Sequence, residues 1–181
     1  MTYFRCERLT GAHDLTKFDC GNPAMNGWLR NHAMRGQMQD TGRTFVWVQD
    51  DTLGVHFEPN EVAAYFTIAA HQVHRSDVAP AFSKTKVRGW PDTVPAMLLA
   101  RLALDQRLQG QGLFGSLLVS ALERCVAASA LAAAALVVVD AIDDRALALY
   151  SSRDFALIPG TNRLVRPMRD VAHELSPDLG E

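Results

Sequence analysis

Cysteine is scarce, and Cys6, Cys20 and Cys125 stand too far apart for any C-x-x-C pair. That argues against a disulfide framework and a zinc site, and it points to a reducing compartment. No apolar run approaches the ~20 residues of a membrane span. The first residues, Met1 to Arg8, lack the apolar core of a signal peptide. The expectation is a cytoplasmic protein with no membrane partner and no metal. Repeats and internal linkers are missing too, so the 181 residues read as one domain, 1–181. A chain of this length buries roughly 70% of its unfolded surface without staples. Disorder is a poor reading of a chain that is 48% hydrophobic and 21% charged. Neither charge sign dominates, with 18 Lys and Arg against 20 Asp and Glu, a net charge of −2. The acids concentrate at the end: an acidic tail from about residue 170 to 181 holds Asp170, Glu174, Asp178 and Glu181 and no Lys or Arg. Lysine is rare, since 15 of the 18 bases are Arg. Arg is the better planar partner for phosphate, but a GC-rich genome gives the same bias.

Asn22-Pro23 reads as an N-cap with proline at the first helical position, and Met25, Trp28, Leu29 and Ala33 continue at helical spacing to about Gln39. Strands are expected at 44–48 and within 62–70, with a turn at Asp50-Asp51-Thr52 between them. Residues 71–94 hold Pro80, Gly89 and Pro91 and read as a long polar loop with one short helix at most. The run from Pro95 to Asp105 has strand length. Phe114, Leu117, Leu118, Ala121, Leu122 and Cys125 then fall on one face of a helix over 112–128. A buried strand at 136–141, a helix at 143–152 and closing strands at 155–158 and 164–168 complete a mixed α/β (α+β) domain, with helices against one central sheet.

The segment Arg107-Leu108-Gln109-Gly110-Gln111-Gly112 joins the apolar strand to the amphipathic helix. Glycines let backbone N–H groups curl towards an anion, and the helix start adds roughly half a positive charge. The spacing matches neither the P-loop nor the dinucleotide-binding fingerprint. An ordinary glycine-rich turn is the alternative.

Arg107-x-x-Gly110-x-Gly112 resembles the acetyl-CoA pyrophosphate motif, Gln/Arg-x-x-Gly-x-Gly/Ala, of the GNAT N-acetyltransferases. Ala146 to Phe155 resembles the family's A-x-x-x-Y-x-x-x-G-F segment, with Asp154 where glycine is usual. A narrower resemblance covers most of the chain. Phe18-Asp19-Cys20-Gly21, Trp28-Leu29-Arg30, Ala33, Thr44-Phe45-Val46 and Arg101-Leu102-Ala103-Leu104-Asp105 look like the GNAT toxins of type II toxin–antitoxin systems. The resemblance implies a GNAT fold: a central mixed, mostly antiparallel sheet flanked by helices and splayed between its fourth and fifth strands. It implies acetyl-CoA as co-substrate, the amino group of aminoacyl-tRNA as acceptor, a ribbon-helix-helix antitoxin as partner, and a homodimer.

The resemblance places pantetheine beside Leu102, Ala103 and Leu104, whose backbone N–H groups polarise the thioester oxygen. It places the pyrophosphate on Arg107, Leu108, Gln109, Gly110, Gln111 and Gly112, with Gly115 and Ser116 in the following helix turn. Tyr150 becomes the general acid, because a phenol of pKa about 10 stays protonated beside a thiolate of pKa about 8.5. Packing alone is the other reading of Tyr150. An α-amine, with pKa near 7.7–8.0, needs little help from a base. His71, His74, Glu61 and Asp105 are conceivable bases, none with a specific signal. Arg101, a charge inside an apolar run, points to the acceptor cleft or to an ion pair with Asp105 or Glu61. Arg30, Arg35 and Arg43, with Lys84, Lys86 and Arg88, form either a phosphate-binding face or a solvated surface. Two alternatives stay open: a GNAT enzyme acting on a small-molecule or protein amine, and a GNAT-fold module that binds without catalysis.

Overall fold

The computed structural model describes residues 4–50 and 57–176, arranged in two compact units: 1–69 with 100–121, and 70–99 with 122–181. Asp51 and Thr52 of the expected turn lie outside the described residues.

In the first unit β1 (Phe4–Arg8) pairs antiparallel with β2 (Arg43–Gln49), which pairs antiparallel with residues 62–68 of β3 (Val62–His74). The sequence pattern does not announce β1, because Phe4-Arg5-Cys6-Glu7-Arg8 is short and half charged; its pairing with β2 makes it a strand. α1 (Pro23–Met38) starts as its sequence signals. Asn22 Oδ1 accepts hydrogen bonds from the N–H groups of Ala24 and Met25 at 3.0 and 3.2 Å, and Pro23 has no N–H to satisfy. Its apolar stripe buries Leu29 and Ala33 against Phe18, Val46, Val48, Val62 and Tyr65. Residues 62–68 of β3 are buried without alternation, the signature of a strand covered on both faces.

In the second unit the part of β4 (Thr93–Leu104) up to Leu99 pairs with β5 (Leu136–Asp140) in parallel, from Ala96↔Leu136 to Leu99↔Val139. That register ends at Leu99, whereas β4 runs on to Leu104. α4 (Leu113–Ser129) is the crossover a parallel pair requires. β5 pairs antiparallel with β7 (Arg163–Pro167), and β7 with β6 (Ala156–Leu157). The sheet order is β1-β2-β3-β4-β5-β7-β6, a mixed, mostly antiparallel sheet as expected.

One expectation needs correction. The polar stretch 71–94 is not a long loop. β3 continues to His74, then α2 (Arg75–Val78), a 3-10 turn (Ala79–Ala81) and α3 (Lys84–Val87) follow before β4. Pro80, Gly89 and Pro91 keep these helices to one turn each, while Val73, Val78, Phe82 and Trp90 pack on Val94, Ala96, Leu136 and Val138. Scattered apolar anchors thus order a segment with no periodic stripe. Residues 170–175 of the acidic tail belong to α6 (Met168–Leu175), which buries Met168 and Val171. Asp170 pairs with Lys86 at 2.5 Å, and Glu174 pairs with the buried Arg166.

Candidate active site

Asp105 follows β4 and caps the 3-10 turn Gln106–Leu108, accepting a hydrogen bond from the Arg107 N–H at 3.0 Å. The same carboxylate accepts from the Asp19 N–H at 3.1 Å. Arg107 folds back on it: Nε lies 2.8 Å from Asp105 Oδ1, and Nη2 lies 2.7 Å from Glu61 Oε1. Its guanidinium also sits 4.0 Å above the Phe57 ring. Glu61 and Asp105 are only 1% and 2% exposed, and Arg107 is the cation they share, with Lys17 Nζ a further 4.0 Å from Glu61 Oε2. Burial alone would raise the Asp105 carboxyl, but hydrogen bonds from Arg107 and Asp19 outweigh it and hold the group below the usual carboxylate range.

The turn that follows holds two left-handed glycines. Gly110 and Gly112 take φ values of +77° and +75°, conformations that L side chains resist. A Cβ at either position would meet nothing within 4 Å, so the space above the turn is open. Gln109 Nε2 donates to the Leu104 and Cys20 carbonyls at 3.0 and 2.9 Å, and Gln111 Nε2 to the Arg107 carbonyl at 2.7 Å. Both glutamines therefore brace the turn. Among the described residues, the amide N–H groups of Gly110, Gln111 and Gly112 donate to no group of the chain. They lead directly into α4, whose first amides have no intrahelical acceptor.

Arg101, upstream on β4, does not pair with Asp105 or Glu61, which Arg107 holds. Its guanidinium lies 5.0 Å from the Trp28 ring centroid. Trp28 in turn stacks on Tyr65 at 6.2 Å, with the planes within 11°. The Tyr65 hydroxyl donates to the Met25 carbonyl at 2.9 Å, fixing the platform to α1. Such a stack orients the planar guanidinium without neutralising it.

In the second unit α5 (Asp144–Ser151) begins at Asp143, whose carboxylate accepts from the Ala146 N–H at 2.7 Å. Tyr150, in its last turn, is 8% exposed and packs edge to face on Phe155, centroids 5.7 Å apart. Burial pushes the phenol well above its ordinary value, so it is fully protonated at neutral pH. Asp154, standing where the motif has glycine, adopts φ +62°, the left-handed conformation that glycine takes freely and Asp tolerates. The departure changes the residue and keeps the turn. His71 is pushed down by burial and by the nearby Arg163, whose Nη1 lies 3.3 Å from His71 Nε2. Arg163 also grips Asp140 through two bonds of 2.7 and 2.8 Å.

No protein-family model matches the chain. A tRNA-acetylating toxin of Mycobacterium tuberculosis is 34% identical over 157 residues, which is 87% of each chain. The chain belongs to the GNAT toxin family. The structure of AtaT complexed with acetyl-methionyl-tRNAfMet superposes with a TM-score of 0.81 at 27% identity, over 93% of this chain and 97% of that one. AtaTR bound with AcCoA gives 0.75 at 25% identity, over 95% and 98%.

In this GNAT toxin the sequence-derived residues fall in both units. The first holds Arg30, Arg35 and the whole stretch from Arg101 to Ser116; the second holds Tyr150, Lys84, Lys86 and Arg88. Leu102, Ala103 and Leu104 form the end of β4, past the register with β5. Leu108 is buried, whereas Gly115 and Ser116 lie in the first turn of α4. Arg30 is occupied locally, donating to the Phe18 carbonyl at 2.6 Å and the Leu15 carbonyl at 3.3 Å. Arg43 pairs with Asp40 at 2.6 Å, while Arg35 is exposed. The toxin's Glu61–Arg107–Asp105 network and the Trp28–Tyr65 platform were not legible as units. Asp105 two residues before Arg107 was the available signal for the first; Trp28 reads in sequence only as part of the apolar stripe.

Among the described residues, no helix is long and apolar enough to cross a membrane, and no cluster of His, Cys, Asp and Glu could hold a metal.

Proposed function

We propose that this chain is a toxin-type N-acetyltransferase that moves the acetyl group of acetyl-CoA to the α-amino group of an aminoacyl-tRNA. The observation that carries the reading is the turn at Gly110–Gly112, with two left-handed glycines, uncommitted amides and open space at the head of a 17-residue helix. That donor set fits a pyrophosphate, and the relatives named for tRNA acetylation and for bound AcCoA supply the class of reaction. Acetyl-CoA brings the activated thioester. The amides of Gly110, Gln111 and Gly112 hold its phosphates, with Leu108, Gly115 and Ser116 shaping the turn. Backbone groups of Leu102 to Leu104 serve the pantetheine arm. Arg107 acts through its backbone and by fixing the turn, since its side chain is committed to Glu61 and Asp105. Tyr150 keeps a proton for the departing sulfur. An α-amine is sufficiently neutral near pH 8 to attack without a dedicated base. Arg101 offers its fork to the acceptor from the Trp28 platform. Acetyl-CoA and charged tRNA meet in the cytoplasm, where we place the protein as a single acetyltransferase domain, a homodimer held in check by a ribbon-helix-helix antitoxin.

The decisive experiment incubates the pure protein with labelled acetyl-CoA and either total aminoacyl-tRNA or a panel of free amines. N-acetylated aminoacyl-RNA is expected. Acetylation of free amines alone would replace this reading with the small-amine enzyme.

Gly112→Asp puts a side chain and a negative charge into the open space over the turn. Its acetyl-CoA affinity should fall by at least tenfold, about 1.4 kcal/mol, as measured by calorimetry on the folded variant. Unchanged affinity would remove the turn from the cofactor site.

A further inference from the structure

The segment from His74 to Asp92 walls a cavity of about 430 Å³, lined by His74, Arg75, Lys84, Val87, Arg88 and Asp92. The volume suits a nucleotide-sized ligand. Lys84 and Arg88 are four residues apart and share one face of α3 and its C-cap. Both are exposed, and among the described residues neither forms an ion pair or a hydrogen bond. Lys86, between them, is differently committed, paired with Asp170 at 2.5 Å. Arg75 is set by bonds to the Trp90 carbonyl at 2.8 Å and to Asp92 at 2.6 Å. Three basic side chains thus line the cavity with one carboxylate, Asp92, and among the described residues two of them, Lys84 and Arg88, have no acidic partner.

We propose that this cavity binds a phosphodiester of the acceptor RNA, with Lys84 and Arg88 as the principal contacts and Arg75 holding the wall. The inference rests on the aminoacyl-tRNA reading above. A second cavity of about 630 Å³ shares His74 and is lined by the polar groups His71, Asp140, Asn162 and Arg163. Two adjoining cavities, one cationic and one mixed, suit a chain that carries phosphates and bases in succession. A free inorganic anion would use only the first.

The test titrates labelled tRNA by fluorescence anisotropy across about 50 to 200 mM salt, in the parent protein and in Lys84→Gln/Arg88→Gln. The double variant should bind roughly tenfold more weakly, with the slope of log K against log salt reduced by about 1 to 2. KM for aminoacyl-tRNA should rise with kcat nearly unchanged, and acetyl-CoA affinity should stay at the parent value. Arg145→Gln/Arg153→Gln, which removes two other exposed cations, should leave the slope intact. A parent-like slope and affinity in Lys84→Gln/Arg88→Gln, in a protein that acetylates tRNA, would overturn this site and leave the function standing. An equal fall in the control would overturn it as well, by making the effect one of general field. Loss of polyglutamate binding with tRNA binding intact would reassign the cavity to an acidic protein partner. Failure of the parent to bind or acetylate any tRNA would overturn both the site and the function.

Discussion

Tyr150→Phe should lower kcat on aminoacyl-tRNA by roughly 10²- to 10⁴-fold, with fold and acetyl-CoA affinity nearly unchanged. The substitution deletes one hydroxyl and retains the ring that packs on Phe155. Burial raises the phenol, and a raised phenol is a weak acid. Its contribution is a hydrogen bond that strengthens as charge grows on the departing sulfur, the sort of interaction that acts on the transition state more than on the ground state. The sign of the shift also sets the pH profile. Because the Tyr150 pKa moves up, its deprotonation cannot produce a falling limb below about pH 10. The profile of kcat/KM should rise through the α-amine pKa near 7.7–8.0 and then level off. Stopped-flow turnover of the variant, with chemistry shown to be rate-limiting, tests the role. A decrease below threefold would make Tyr150 a packing residue.

Arg107→Met should destabilise the fold by about 3 kcal/mol, the low end of what removing one partner of a buried pair costs, since the guanidinium is itself part exposed. The substitution keeps the long apolar stem but removes the guanidinium shared by Glu61 and Asp105, both almost wholly buried. That leaves Glu61 only Lys17 at 4.0 Å and the Glu58 N–H, and Asp105 only backbone N–H donors. Uncompensated burial raises carboxyl pKa values in the folded state above their unfolded values. Such groups remain protonated in the folded protein at acid pH and oppose folding as pH climbs, so the deficit should shrink towards pH 4 and be complete near neutrality. Urea unfolding at both pH values checks this. An equal deficit at both would show that the carboxylates do not depend on Arg107. The variant should also lose acetyl-CoA affinity, because Arg107, Gln109 and Gln111 brace one turn between Asp105 and Gly112.

Local signals carried much of the architecture. The Asn22-Pro23 cap, the stripe of α1, the apolar β5 and the glycines before α4 each state their conformation within a few residues, because capping, periodicity and left-handed backbone are short-range effects. The motif from Arg107 to Gly112 and the segment around Tyr150 likewise carried the resemblance to the GNAT acetyltransferases, and Phe18 to Gly21, Trp28 to Arg30 and Arg101 to Asp105 helped to narrow it to the toxins. What tertiary structure alone decided were partnerships across the chain. Arg107 meets Glu61 46 positions away, and Arg101 meets Trp28 on another element. Charge in a sequence names a group but not its counter-charge, so the sequence left Arg101 as a ligand or an ion-pair member and Arg107 as part of a pyrophosphate motif. The structure committed the Arg107 side chain to the fold and left the Arg101 fork on an aromatic platform. It sorted the trio Lys84, Lys86 and Arg88 in the same way. Lys86 met Asp170 of a helix that looked in sequence like a tail, while Lys84 and Arg88 were left facing a cavity. The helices that build that cavity span one turn each and have no stripe to announce them; they exist because Val78, Phe82 and Trp90 bury themselves against β4 and β5.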